Sequence, residues 1–513
     1  MADAHAAERG RDNPPRSPFV LADDDDARIR EAARDALRQS FVTLAEEQVL
    51  PRSRYRPWIR MARDYFGHAV ERSEGPLAKA LEAALPVRFD RQRGPAPDYP
   101  WNYASALLEA AVAAATLADE PCDIASPSVQ ATIDEVIEKV RAVPRCTVLR
   151  LVADVDVEQN QERLGETIEV AGVRVIRVQN EPERFIEREL PSAGYEVERS
   201  QVVVFPGPAS LLAATVEMMA DYETRVKEAR RRVSHLVGAI RLATGSTARA
   251  VVDIAGEPDR VRWISPSITP LPSWGFQLVH RPVTLSEARK LGLEYLASFI
   301  CSMDEGSWAP VSMALSRLGR SLDGWTPGIM DQVVDLAIGL EAALAGTDKT
   351  EVALRLRARA ADILATDADP PDAIYRDVKT LYDLRSTIAH GGSLSGKDVK
   401  KAIGSVTGTT ASRWRGEQYL LALDRWRDLL RRAILARIAL TTATVPSIAG
   451  AKRDSRFDVD ELLLRENNRN AWREHIRAFW AEHGLADAPN PAPTARITIG
   501  GPSNAAPNAG TNG

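Results

Sequence analysis

The sequence predicts a mainly α protein with a mixed α/β middle segment and an all-α bundle towards its C-terminus. Three observations predict it. Apolar residues recur at helical spacing from about residue 27 to residue 143. Short β-branched runs bounded by turn residues replace that pattern between 145 and 284. From Leu285 onward those runs stop and helical periodicity returns.

Residues 1–24 are polar, contain proline and end in Asp23-Asp-Asp-Asp26, so they read as disordered. A helical N-terminal region follows over 25–144. Ile29, Ala33, Leu37, Phe41 and Leu44 share one helix face, and the acidic run suits that helix's N-terminus. Trp101–Leu117 reads as a buried Ala-rich helix, and Ser128 to about Val143 as another, stopped by Pro144. The mixed α/β region spans 145–284. Its expected strands lie at Cys146–Val155, on both sides of Ala171-Gly172 within Thr167–Val178, and at Gln201–Phe205, Arg249–Ile254, Val261–Ile264 and Phe276–His280. One long helix is expected from about Ser210 to Leu242.

The next region, 285–450, shows helices at about 285–302, 307–320, 328–346, 350–366, 373–390 and 414–442. A further amphipathic helix within 451–485 carries Trp472, Ile476, Phe479 and Trp480. The tail 486–513 is rich in Pro, Ala, Asn and Gly and reads as disordered.

Composition narrows the function. The chain has 513 residues and a net charge of −5, from 66 basic and 71 acidic side chains, so any nucleic-acid site must be a local patch. Cys122, Cys146 and Cys301 form no pair motif, which fits a cytoplasmic protein without a disulfide framework or zinc site. No apolar run approaches the ~20 residues a membrane span needs. No spacing suggests a metal site or a cofactor. Gly391-Gly-Ser-Leu-Ser-Gly-Lys-Asp398 imitates a phosphate-binding loop, but Asp398 stands where Ser or Thr should hold magnesium, and the segment follows a helix instead of a strand.

One segment concentrates usable chemistry. In Leu381-Tyr-Asp-Leu-Arg-Ser-Thr-Ile-Ala-His-Gly-Gly392, four residues separate Arg385 from His390. Ile374, Val378, Leu381, Leu384 and Ile388 form the buried stripe of its helix, and Gly391 supplies a left-handed C-cap. At ~100° per residue, Arg385 and His390 lie about 140° apart and can flank that stripe. The spacing alone selects nothing, because Arg63–His68, Arg230–His235, Arg469–His475 and Arg477–His483 have comparable spacing.

The wider context does select. Leu336-Ala-Ile-Gly-Leu-Glu-Ala-Ala-Leu344, Leu356-Arg-Ala-Arg-Ala-Ala-Asp-Ile-Leu364 and the Tyr-x-x-Arg-Ser-x-x-x-His-Gly core at 382–391 follow one another in an order that resembles the Apea-like family of HEPN domains, over roughly 285–445. The resemblance implies an all-α HEPN-type bundle. It also implies a metal-independent endoribonuclease with Arg385 and His390 as catalytic residues, supported by Tyr382, Ser386 and Gly391. HEPN proteins are common in antiviral defence and toxin–antitoxin systems, so such a role is implied too. Ser386 departs from the Asn, Asp or His that the best-attested ribonucleases carry after their Arg.

The chemistry is consistent with that reading. A histidine, with an ordinary pKa of ~6.5, takes the proton from a ribose 2′-OH. An arginine holds the phosphate and its developing charge. The attacking oxygen belongs to the RNA, so the expected ends are a 2′,3′-cyclic phosphate and a 5′-OH. Arg427 and Arg431, on the expected polar face of helix 414–442, and Lys397 in the glycine-rich loop are candidate RNA contacts. A homodimer would place two copies of the Arg-His set around one phosphate, with Trp414 and Trp426 as possible apolar contacts. Residues 25–284 would then restrain the activity or meet a regulatory partner. Two other readings remain: a non-catalytic HEPN module binding RNA, nucleotide or protein, and a helical dimerisation platform.

Overall fold

The structure is a computed structural model. It describes residues 23–46, 76–84, most of 107–141, 145–158, 167–178, 208–217, 222–256, 267–270, 279–303, 308–322, 328–345, 351–392, 397–408, 417–442, 463, 465–493 and 496–497. The expected strands at Gln201–Phe205 and Val261–Ile264, residues 1–22, Arg63, His68 and Trp414 lie outside them.

The chain is mostly helical, with an antiparallel sheet in its middle. The N-terminal helices α1 (Asp23–Glu46), α2 (Pro76–Ala84) and α3 (Pro127–Arg141) share a core with helical positions among residues 107–115. Ile29, Leu37, Leu44, Leu81, Leu107 and Ile133 fill it, on the stripes that the periodicity marks. The helix α1 begins at the acidic run, where Asp25 and Asp26 also pair with Arg28 and Arg30 one turn on.

The sheet contains β1 (Arg145–Ala153), β3 (Thr167–Val170), β4 (Val173–Arg177), β5 (Ala209–Glu217), β6 (Arg249–Gly256) and β7 (Ser267–Pro270), in the order β3-β4-β5-β1-β6-β7. Two smaller pairs flank it. The strand β2 (Val155–Val157) runs parallel to β9 (Val283–Leu285), and β8 (Val279–His280) pairs with a C-terminal strand. The β3–β4 hairpin turns at Ala171 and Gly172, both at positive φ, as a two-residue turn of matching twist requires. The helix α4 (Tyr222–Thr244) packs across β1 and β5. Arg150 on β1 faces it and is buried, donating to both carboxylate oxygens of Asp253 at 2.6 and 2.8 Å and to Ser234 of α4 at 2.8 Å.

One expected element changes identity. Residues 209–217 are strand, and the long helix starts only at Tyr222, where Ser210 was the expected start. Ala-Ser-Leu-Leu-Ala-Ala-Thr-Val-Glu has the helix propensity of its Leu and Ala residues. Hydrogen bonding to β4 on one side and to β1 on the other overrides that propensity.

The helices α5 (Glu287–Ser302), α6 (Ala309–Leu322), α7 (Gly328–Leu340), α8 (Val352–Leu364), α9 (Pro371–Ala389), α10 (Lys397–Thr407), α11 (Glu417–Thr442) and α12 (Glu466–Glu482) complete the helical part. The helix α11 is its axis: α4, α6, α7, α8, α9, α10 and α12 all touch it. The same apolar core runs continuously from the sheet into these helices.

Two expectations at this axis are corrected. The polar side of α11 is not a solvent-facing basic surface. Arg427 and Arg431 are buried, and so are Arg432, Asp424 and Asp428. The tail is not undocked throughout 486–513. Ala488 is buried, Arg431 donates to the carbonyls of Ala488 and Asn490, and Ala492 N–H donates to Asp428 at 3.1 Å. Arg496–Ile497 forms β10, the partner of β8. This segment docks through main-chain groups, which leave no apolar period in the sequence to read.

A truncation tests that docking. Deleting 487–513 removes two carbonyl acceptors from a buried guanidinium and should cost about 1–3 kcal/mol. Deleting only 498–513 should cost much less. Equal melting temperatures for the two truncations would show that the docked segment contributes nothing.

Candidate functional site

The centre of the site is the C-terminal end of α9. Ile374, Val378, Leu381 and Leu384 bury the expected stripe, and Trp426 donates its indole N–H to the Asp377 carbonyl at 2.9 Å. The helix stops as its glycines predict. Gly391 sits at φ +75°, Gly391 N–H donates to Ile388 O at 2.9 Å, and Gly392 N–H donates to Thr387 O at 2.8 Å. This is the paired hydrogen-bond pattern of a Schellman cap. A side chain at Gly392 would come within 2.8 Å of the Thr387 carbonyl, so the cap demands both glycines for different reasons.

The cap delivers His390. Its N–H donates to Ser386 O at 3.1 Å, and its imidazole is exposed, without a hydrogen bond or ion pair among the described residues. One turn earlier, Arg385 is half-buried and lies over the Tyr382 ring, 5.6 Å from its centroid. Ser386 is half-buried beside it.

A further participant, Glu341, follows directly on α7. The helix widens into a π turn over Glu341–Ala345. The buried Arg359 of α8 stabilises that turn by donating to the Leu344 and Ala345 carbonyls at 2.8 and 2.6 Å. Burial pushes the Glu341 carboxyl above its ordinary range, while the charge of Arg385 and the Tyr382 hydroxyl draw it back. Burial also raises the Tyr382 hydroxyl, and Glu341 adds to that rise. Glu341, Tyr382 and Arg385 therefore form one electrostatic unit. The signal in the sequence was a lone Glu inside Leu336–Leu344. Periodicity cannot reveal the π turn that directs it at α9.

No protein-family model, curated protein or solved structure matches this chain.

The geometry ranks the rival pairs among the described residues. Arg230 pairs with Asp253, and His235 is half-buried, its pKa lowered first by that burial. Arg469 is engaged by Leu463 O and Asp362, and His475 contacts Ala439 O at 3.3 Å. Arg477 donates to Arg473 O, and His483 contacts Phe479 O at 2.7 Å. Only Arg385 and His390 have both functional ends unclaimed by a salt bridge or hydrogen bond among the described residues.

The expected RNA contacts fare differently. Arg427 donates to Ser321 O and Gln332, and burial pushes its pKa down to about 10. Arg431 donates to Asp428 and to three main-chain carbonyls. Neither can meet a phosphate backbone from where it sits. Lys397 begins α10, a helix where the sequence suggested a loop. The same helix, packed on α9, exposes Lys400 and Lys401. Trp426 and the apolar stripe of α11 are spent within the chain, so that stripe is not available to a dimer. Among the described residues no helix is long and apolar enough to cross a membrane.

Proposed function

We propose that the helical part of the chain is a HEPN-type domain and that the protein is a metal-independent endoribonuclease acting through Arg385 and His390. The observation that carries this reading is the pair itself. An accessible imidazole sits on a rigid helix cap, one turn from an arginine that no carboxylate within 4 Å neutralises, and the helix α10 that packs on α9 exposes Lys400 and Lys401.

In this mechanism Arg385 holds the scissile phosphate. Glu341 and Tyr382 orient its guanidinium without closing it in an ion pair. His390 takes the 2′-OH proton, the 2′-oxygen attacks phosphorus, and the P–O5′ bond breaks. The departing 5′-oxygen takes a proton from the protonated histidine, or from the same histidine of a second copy across a dimer. The ends are a 2′,3′-cyclic phosphate and a 5′-OH. Mapping RNA ends after exposure to the wild-type protein tests this, and 3′-OH ends would overturn it.

Cleavage should persist in excess EDTA, because the nucleophile comes from the substrate and its proton goes to a side chain. A strict dependence on added magnesium or manganese would sink the mechanism.

A second reading has one observation in its favour. Ser386 replaces the more polar residue of the best-attested HEPN ribonucleases, and its half-buried side chain supplies no further charge to the site. On that reading the domain binds RNA, nucleotide or protein without cutting. Binding of RNA with no new ends would support it. Roles in antiviral defence or as a toxin, and restraint by residues 25–284, extend the first reading and require cleavage.

A further inference from the structure

A second cleft formed by described residues lies elsewhere, where the sheet region, α5 and the docked tail meet. Its volume is about 770 Å³. Three features of its walls favour an anion. Arg281 and Arg431 are at its floor, with side chains 12% and 3% exposed. Asp428 and three carbonyls occupy Arg431. Arg281 donates through one terminal nitrogen to Asp424, and its buried Nε has no partner. Arg289, half-buried on the first turn of α5, makes no ion pair among the described residues. The N-terminus of α5 also opens here, with Ser286 extended and its side chain not capping the helix.

The acids in the wall, Glu158 and Asp487, are exposed at the rim. The exposed acids thus stand at the mouth, while Asp424 and Asp428, the partners of Arg281 and Arg431, are buried beneath the floor. His280 adds a polar edge. Its Nδ1 lies 3.1 Å from the buried Asp154, which leaves Nε2 as the nitrogen without a partner among the described residues. Gly245 permits this crowding. A side chain there would meet Ala492 at 2.6 Å and approach Arg431 Nε at 3.2 Å, and its φ of +65° suits glycine independently. The cleft therefore keeps two cationic groups with donor capacity to spare, Arg281 through its Nε and Arg289 through a guanidinium without an ion pair among the described residues.

We propose that this cleft binds a phosphate-bearing small molecule of nucleotide size, with its phosphate between Arg281, Arg289 and the N-terminus of α5. The volume lies within the range of small-molecule sites. Among the described residues no Phe, Tyr or Trp lines the cleft, and the proposal concerns the phosphate alone. The site is independent of Arg385 and His390.

Calorimetric titration of the full chain with inorganic pyrophosphate and with AMP tests the proposal. Both probes should bind saturably. Arg289→Glu should weaken binding by at least about tenfold, since it exchanges a charge-assisted contact for a repulsion. Glu158→Gln, which removes a rim carboxylate, should tighten it, and this arm decides the matter if Arg289→Glu proves unfolded by its melting curve. Arg385→Ala should bind both probes like the wild type. Absence of saturable binding up to about 1 mM, an affinity indifferent to a folded Arg289→Glu, an unchanged or weaker affinity in Glu158→Gln, or loss of binding in Arg385→Ala would each overturn the proposal. None of these outcomes bears on whether RNA is cut.

Discussion

Replacing Arg385 or His390 with alanine should lower RNA cleavage by about 10²–10⁴-fold while the protein stays folded. The two losses have separate causes. Arg385→Ala removes the cation that holds the phosphate, and His390→Ala removes the group that takes the 2′-OH proton. Stability should hardly change. His390 is exposed beyond the helix end, and Arg385 gives up one cation–π contact of about 0.5–1 kcal/mol together with its screened attraction for half-buried Glu341. Arg385→Lys sharpens the test, because it keeps the charge and loses the planar fork that fits a phosphate. It should recover only part of the activity. Matched alanine changes at Arg469 and His475 should spare cleavage, as both already serve local contacts. The same expectation applies to Arg63 and His68. Equal loss at any of these rivals would show that the wrong pair was assigned.

The largest stability effect is expected at Arg432. Its side chain is 1% exposed and bridges Asp369 and Asp428, with a 2.9 Å bond to Leu364 O. Arg432→Met keeps the aliphatic stem and leaves two buried carboxylates short of one partner each. About 3 kcal/mol should be lost, whereas Arg28→Met, at an exposed pair with Asp25, should cost less than about 1 kcal/mol. Denaturant midpoints measure both, and equal losses would contradict the network reading.

Acid exposes the same network. Burial alone would push the Asp428 carboxyl up, but Arg431, Arg432 and Arg281 outweigh burial and hold it down to about 2. A carboxylate depressed in the fold contributes stability above its unfolded value of ~3.9. That contribution is lost as the pH falls from there through about 2. Stability measured along that interval should fall more steeply in the wild type than in Arg432→Met.

The sequence made some of this legible and hid the rest for identifiable reasons. The β3–β4 hairpin and the α9 cap were readable because each depends on local backbone chemistry at Ala171-Gly172 and Gly391-Gly392. Arg385 and His390 could be singled out only through the ordered pattern around them. The strand β5 was misread because its partners are distant in sequence. The polar side of α11 was misread because periodicity distinguishes polar from apolar and cannot distinguish solvent from buried carboxylates. Asp369 and Asp377, which neutralise Arg425 there, come from 56 and 48 residues earlier. The π turn at Glu341 depends on Arg359, in another helix.

The clasp that Arg431 makes also orders events in time. Its acceptors are Leu242, 189 residues before it, and Ala488, 57 residues after it. As the chain emerges during synthesis, the sheet and the long helices exist before Ala488, Asn490 and Ala492 do. Until those residues arrive, the guanidinium of Arg431 lacks two of its carbonyl acceptors. Contacts of such long separation form late, because loop closure must precede them. The axis of the helical half therefore reaches its final packing only after almost all of this sequence has been made.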